Sequence, residues 1–175
     1  MLPSQSDVSR RVRSRRRPAC RTWINRMLSG VVIGIMTSAI ASAAPVSDHL
    51  DLAQYRGQVV IVDFWASWCK PCRESIPWLN ELRARYAAHG LVVIGVNVDA
   101  ERSDAEEFLR EVPIDFEVVF DPQGELAKRF DLQGMPTSLV FDRAGNLVET
   151  RLGFRQAMKA KHEASLKNLL NNTGH

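Results

Sequence analysis

The stretch that decides the fold is Val59-Val60-Ile61-Val62-Asp63-Phe64-Trp65-Ala66-Ser67-Trp68-Cys69-Lys70-Pro71-Cys72. Its first half is an apolar run broken only by Asp63, the pattern of a central strand covered on both faces. Residues 70–89 follow a different period. Ile76, Leu79, Leu82 and Tyr86 recur at intervals of three and four, with Arg73, Glu81, Arg83 and Arg85 on other faces, which predicts an amphipathic helix. Pro77 lies inside that segment and predicts a kink. Gly90 closes it where a cap glycine belongs. A strand therefore hands over to a helix at a pair of cysteines.

That placement has chemical consequences. A sulfur at a helix start faces unpaired backbone N–H groups and the positive end of the dipole. Both favour a thiolate and lower the thiol pKa below its free value of about 8.5. Lys70 and Arg73 add positive charge. Cys69 is the expected nucleophile, exposed at the turn. Cys72, about one turn in and more buried, is the expected resolving thiol. Pro71 falls in the first helical turn, where its missing N–H is harmless. The competing reading, two cysteines merely packed in a core, fits poorly with two flanking tryptophans and a helix-start proline. A structural staple is also disfavoured, because so short a loop removes little chain entropy. Structural zinc needs four ligands. No second such pair exists, and His49, His89, His162 and His175 are scattered along the chain. No metal is expected, and no cofactor beyond the Cys69–Cys72 pair itself.

Outward from this centre the pattern alternates strands and helices, which argues α/β architecture. Residues 91–98 (LVVIGVNV) read as a second buried strand. Ser103, with Glu106 three residues on, predicts a capping box for a helix through residue 110. Residues 116–120 read as a short strand, then an Asp121-Pro122-Gln123-Gly124 turn and a short helix over 125–130. Residues 137–141 and 146–152 form an expected hairpin around Asp142-Arg143-Ala144-Gly145. A last helix is predicted over 156–170, with Met158, His162, Leu166 and Leu169 along one face.

The segment from Phe64 to Cys72 resembles the active-site region of the thioredoxin superfamily. The longer Cys69-Lys70-Pro71-Cys72-Arg73-Glu74-Ser75-Ile76-Pro77-Trp78-Leu79-Asn80 is similar to the TlpA/ResA-like branch of bacterial extracytoplasmic thiol-disulfide oxidoreductases. Gly134-Met135-Pro136-Thr137, residues 139–145 (LVFDRAG) and Gly153-Phe154 extend the likeness over about residues 48–170. The resemblance implies a thioredoxin fold, a central mixed sheet flanked by helices. The helix near 103–110 and the strand near 116–120 correspond to that branch's central insertion. It also implies a cis Met135–Pro136 bond that presents the backbone of Met135 beside the cysteines, where a substrate strand could pair. Asp63 matches the buried acid of thioredoxins, which accepts or relays the Cys72 proton through water; the competing reading is an ordinary strand-end acid facing solvent. Some members of the branch use an acid after the second strand instead, and Asp99 and Glu101 lie near that place without matching it. Trp68 is expected to cover the disulfide.

The N-terminus reads separately. Residues 10–26 hold eight arginines and no acid, and the apolar run 27–44 that follows ends on Ala41-Ser42-Ala43. Basic region, apolar stretch and small-residue exit are the order of a secretory signal. The run also has the length of a short membrane anchor. Its Ser, Gly and Thr content favours cleavage, and either outcome puts residues 44–175, the thioredoxin-like domain, outside the cytoplasm. A periplasmic location follows. Residues 1–43 carry eight of the 23 basic residues and one of the 20 acids, so the remainder carries 15 and 19, a net charge of −4. A mildly acidic domain is a poor nucleic-acid binder, so no nucleic-acid partner is expected. Cys20 precedes the apolar run and leaves the domain only Cys69 and Cys72.

The leading expectation is an enzyme that reduces oxidised protein substrates, drawing electrons from a membrane thiol donor. The resemblance suggests apocytochrome c among the substrates. Three alternatives stand beside it. One is a disulfide-forming oxidant, since the dipeptide between the cysteines tunes the potential widely. Another is a peroxidase of the peroxiredoxin type, although such enzymes place their cysteine in a Thr-x-x-Cys setting and Ser67-Trp68 precedes Cys69 here. The third is a module that delivers copper through two thiolates.

Overall fold

The computed structural model describes residues 46–47 and 49–172. The expected export segment over 1–43, Cys20 and His175 lie outside the described residues. The strands are β1 (Val46–Ser47), β2 (Val59–Trp65), β3 (Leu91–Asn97), β4 (Glu117–Phe120), β5 (Thr137–Phe141) and β6 (Leu147–Leu152). The helices are α1 (Cys72–Tyr86), α2 (Arg102–Glu111), α3 (Glu125–Arg129) and α4 (Lys159–Asn171). Together the strands form one six-stranded sheet in the order β1-β4-β3-β2-β5-β6. β1 to β4, β4 to β3 and β3 to β2 are parallel, whereas β5 pairs antiparallel with both β2 and β6. The fold is a thioredoxin fold with a mixed central sheet.

β2 is central because its apolar run feeds both faces. Side chains alternate across a strand, so Val59 and Ile61 pack with Trp78, Leu79 and Leu82 of α1 and Leu166 and Leu170 of α4. Val60, Val62 and Phe64 turn the other way, onto Leu50, Leu139, Phe141 and the partly buried Leu126 and Phe130. A third cluster closes the end of the sheet where β2 stops: Trp65, Ala66, Cys69, Cys72 and Ile76 with Ala105, Phe108, Val118 and Phe120. The last four belong to α2 and β4. The expected insertion is thus an extra strand slotted between β1 and β3 in the sheet, with a helix laid over the cysteine end.

Several boundaries differ from expectation. The helix after the cysteines starts at Cys72, two residues later than the expected residue 70, because residues 69–72 close a turn first (Cys72 N to Cys69 O, 3.1 Å). It runs on through Pro77. The capping box at Ser103 does not form: α2 starts at Arg102, Glu101 is its N-cap without a side-chain bond, and Ser103 lies inside the first turn. The Glu101 carbonyl accepts the Asp104 N–H instead (3.2 Å). The last helix begins three residues later than expected, after a 3-10 turn over Gln156–Met158. Gly90 does end its helical segment, at φ +87°. A Cβ there would sit 2.9 Å from Arg143 Nη1, which donates to the Gly57 carbonyl (2.6 Å) while Nη2 donates to those of His89 (3.1 Å) and Leu170 (2.9 Å). One guanidinium thereby ties three chain segments at the end of the sheet opposite the cysteines.

Candidate active site

Cys69 and Cys72 are joined in a disulfide, their Cα atoms 5.3 Å apart. The local chain is a series of turns. Cys69 N donates to Ala66 O (3.1 Å), Arg73 N to Lys70 O (3.3 Å), and Glu74 N and Ser75 N to Pro71 O (both 3.1 Å). Pro71 stands just before α1 at φ −66°, ψ −22°, a geometry its ring favours. The dipole of α1 therefore ends on the disulfide.

One expectation about exposure is corrected. Cys69 is not exposed at the turn: it is 3% accessible and Cys72 0%. The bond to Cys72 draws Cys69 into the cluster of Trp65, Ala66 and Ile76, against which Met135 also packs. The order of depth, with Cys72 deeper, is as expected. Trp68 is 70% accessible and stands out of the core next to Cys69. Lys70 is exposed. Arg73 turns to the inserted helix: it pairs with Glu111 (2.8 Å) and lies 4.7 Å over the Phe108 ring. Its charge is thus shared with a carboxylate, not aimed at sulfur alone.

The Met135–Pro136 bond is cis. Its loop is tied on both sides, by Thr137 Oγ1 donating to Gly134 O (2.6 Å) and Gly153 N donating to Pro136 O (2.8 Å). With Met135 on the cysteine cluster, this loop forms one wall of the site.

Asp63 is fully buried, so the solvent-facing alternative is excluded. Alternation on β2 puts it on the face used by Ile61 and Trp65, and its register partners are Ser138 on β5 and Gly95 on β3. Ser138 Oγ donates to Asp63 Oδ1 at 2.5 Å. Asp63 Oδ2 is buried with no hydrogen-bond partner among the described residues. Burial pushes the carboxyl up to about 7, and the Ser138 hydroxyl pulls the other way. Loss of hydration disfavours the charged form of an acid. Gly95 leaves the space that the Trp65 indole fills, since a Cβ there would lie 2.9 Å from Trp65 Nε1.

Asp99, to which the sequence assigned no definite part, supports the site from behind. Its carboxylate accepts from Ser67 N (2.9 Å), Ser67 Oγ (2.9 Å) and Asn97 Nδ2 (2.7 Å). Val98 N adds a bond to Trp65 O (3.0 Å). The end of β3 therefore pins the loop that carries Trp68 to Cys69. Glu101 only caps α2. Ser138, Asn97 and Phe108 were not singled out by sequence reasoning. A lone serine in an apolar strand carries no signal until the register sets it opposite Asp63. Among the described residues no group of three or more His, Cys, Asp or Glu side chains is placed to hold a metal ion, and no helix is long and apolar enough to cross a membrane.

Comparison with known proteins agrees with this geometry. The AhpC/TSA family profile matches residues 39–150. Thiol-disulfide oxidoreductase ResA of Bacillus thuringiensis subsp. konkukian is 29% identical over 120 residues, which span 69% of this chain and 68% of the relative. Among solved structures, a thiol:disulfide interchange protein DsbE from Chlorobium tepidum is 43% identical with a TM-score of 0.69, over 74% of this chain and 93% of that one. StoA from Bacillus subtilis is 28% identical with a TM-score of 0.54, over 62% and 84%.

Proposed function

From the premise that this chain belongs to the AhpC/TSA family, as a TlpA/ResA-like thiol-disulfide oxidoreductase of the thioredoxin superfamily, we propose that it works outside the cytoplasm as a reductant of protein disulfides, apocytochrome c among them. What supports the reading is one observation: two bonded cysteines at a strand-to-helix handover, with a cis-proline loop packed against them.

In the reduced chain Cys69 is the attacking thiolate. It forms a bond to one sulfur of the substrate disulfide, and the other substrate sulfur leaves as a thiolate. Cys72 gives its proton to Asp63 and attacks the Cys69 sulfur. The bond between Cys69 and substrate breaks, the second substrate sulfur departs as a thiolate, and the Cys69–Cys72 disulfide remains. The substrate has gained two electrons and the chain has lost two. A membrane thiol donor returns them by the same exchange in reverse. No metal or other cofactor enters this scheme.

The remaining residues set the frame. Lys70 adds positive charge and Pro71 fixes the turn between the sulfurs. Met135, held by Pro136, offers backbone to a substrate strand, and Trp68 covers the disulfide from the solvent side. Residues 1–43 direct export and residues 44–175 form the working domain.

Insulin reduction by the full chain tests the activity, which Cys69→Ser abolishes. A Cys72→Ser variant arrests the mixed disulfide and lets the trapped substrates be identified. Equilibration with glutathione decides direction: a potential near about −120 mV, the strongly oxidising end, overturns the reductant reading. A reporter active only outside the cytoplasm, fused to the C-terminus, gives signal that disappears when residues 1–43 are deleted.

A further inference from the structure

Asp63 could take up a proton through either carboxyl oxygen, and a buried carboxyl free to rotate would present both. The two oxygens are not equivalent here. Oδ1 accepts the Ser138 hydroxyl at 2.5 Å, whereas Oδ2 is buried without a partner among the described residues. The asymmetry is built into the sheet, because β2 and β5 pair antiparallel with Asp63 directly opposite Ser138. Ser138 is itself locked in the register of a strand buried at Thr137 and at Leu139, Val140 and Phe141.

We propose that Ser138 is a positioning residue of this site: its hydroxyl anchors Oδ1 of Asp63, so that Oδ2 is the oxygen that takes the Cys72 proton. The inference deepens the proposed function and rests on the part assigned there to Asp63. A carboxylate held through one oxygen keeps a fixed orientation and loses no time or free energy to reorientation when the thiol ionises. The same hydrogen bond favours the ionised carboxyl over the neutral one, so it also keeps the base available. The balance of the step is simple. The proton passes from Cys72 sulfur to Oδ2, the Cys72 electron pair forms the bond to Cys69 sulfur, and the displaced pair leaves on the substrate sulfur. Afterwards the proton is released to solvent.

The experiment follows resolution of the mixed disulfide in single turnover. The reduced full chain is mixed with excess oxidised insulin, and the rate of closure of the Cys69–Cys72 disulfide is recorded from pH 5 to 9. Wild type, Ser138→Ala, Ser138→Thr and Asp63→Asn are compared. Ser138→Ala is expected to move the acid limb of the profile to higher pH by about one unit, a tenfold lower rate on that limb. The alkaline plateau changes less, because Asp63 is ionised there with or without the hydroxyl. Ser138→Thr, which keeps the hydroxyl, is expected to restore the wild-type limb. A merely structural serine would lower the rate equally at every pH. A Ser138→Ala profile that keeps its wild-type limb while Asp63→Asn loses it overturns the positioning role and leaves the reading of Asp63 standing. If Asp63→Asn also keeps the wild-type limb, both fall.

Discussion

Replacing Asp63 with Asn is expected to stabilise the oxidised chain at neutral and alkaline pH and to leave its stability unchanged in strong acid. The native carboxyl is fully buried and titrates at about 7, against an ordinary value of 3.8. Between those two values the native state holds a proton that the unfolded chain has released. Stability rises with pH only where the unfolded state binds more protons, so through this window the Asp63 contribution falls as pH rises. The stabilising contribution of the protonated acid is complete below about pH 4 and has gone above about pH 7. Three units at 1.36 kcal/mol each amount to about 4 kcal/mol. Asn mimics the neutral form, can still accept from Ser138, and does not titrate. Urea unfolding of both proteins at pH 4, 6 and 8 should give a difference close to zero at the first pH and about 4 kcal/mol in favour of the variant at the last. A difference that stays constant across the three would refute the argument, because it would mean that Asp63 does not titrate between the native and unfolded values. The same number explains the cost of the site: an oxygen able to receive a proton at neutral pH is a buried charge waiting to form.

Other expectations follow from the same contacts. Arg143→Ala removes the donor shared by the Gly57, His89 and Leu170 carbonyls and should lower unfolding stability by about 3 kcal/mol; insulin reduction by the folded fraction stays the same. Arg143→Lys should not rescue it, since a point charge does not reach three splayed acceptors. Gly95→Ala puts a Cβ 2.9 Å from Trp65 Nε1 and 3.1 Å from Phe116 Cε2, and overpacking of that kind should cost about 2 kcal/mol by thermal unfolding. Asp99→Ala leaves Ser67 N, Ser67 Oγ and Asn97 Nδ2 without their acceptor; a loss of about 2 kcal/mol in urea should be accompanied by slower insulin reduction, because the loop before Cys69 is no longer pinned.

How far the sequence could be read depended on whether a feature was local. The two central strands declared themselves because a strand buried on both faces must be apolar at every position, as residues 59–62 and 91–94 are. The handover to a helix at the cysteines was legible for the same reason, a change of period from continuous to three-and-four. Ser103 misled because a Ser-x-x-Glu spacing does not by itself fix where the helix begins: the chain after Asp99 closes the first turn at Glu101, which leaves Ser103 inside it. The exposure of Cys69 was misjudged because the strand-helix picture omits what lies above the turn. Met135 comes from a loop 66 residues further along, and Ala105 and Phe108 from the inserted helix. Ser138 and Asp99 gain their parts only through pairing, one by sheet register and one by the end of a neighbouring strand. Neither has a spacing that marks it.

The inserted helix does more than extend the sheet, and Phe108 is where that can be measured. Its ring lies 5.0 Å from that of Trp65, carries the Arg73 guanidinium on its face and is itself buried. Trp65 follows Asp63 on the same face of β2. Phe108 therefore covers Trp65, the next side chain after Asp63 on that face of the strand. Phe108→Ala should cost about 3 kcal/mol as a buried aromatic truncation, which any core phenylalanine would share. The distinguishing consequence is electrostatic. Water admitted beside Trp65 eases the desolvation that holds Asp63 up at about 7, so its titration should move towards ordinary carboxylate values. The acid limb of disulfide closure would move with it, opposite in direction to the change expected for Ser138→Ala. The carboxyl resonance of Asp63, followed by carbon NMR against pH in the oxidised chain, reads that shift directly. A variant that loses the expected stability yet titrates at the wild-type pH would show that the inserted helix only packs against the site and has no part in setting its proton chemistry.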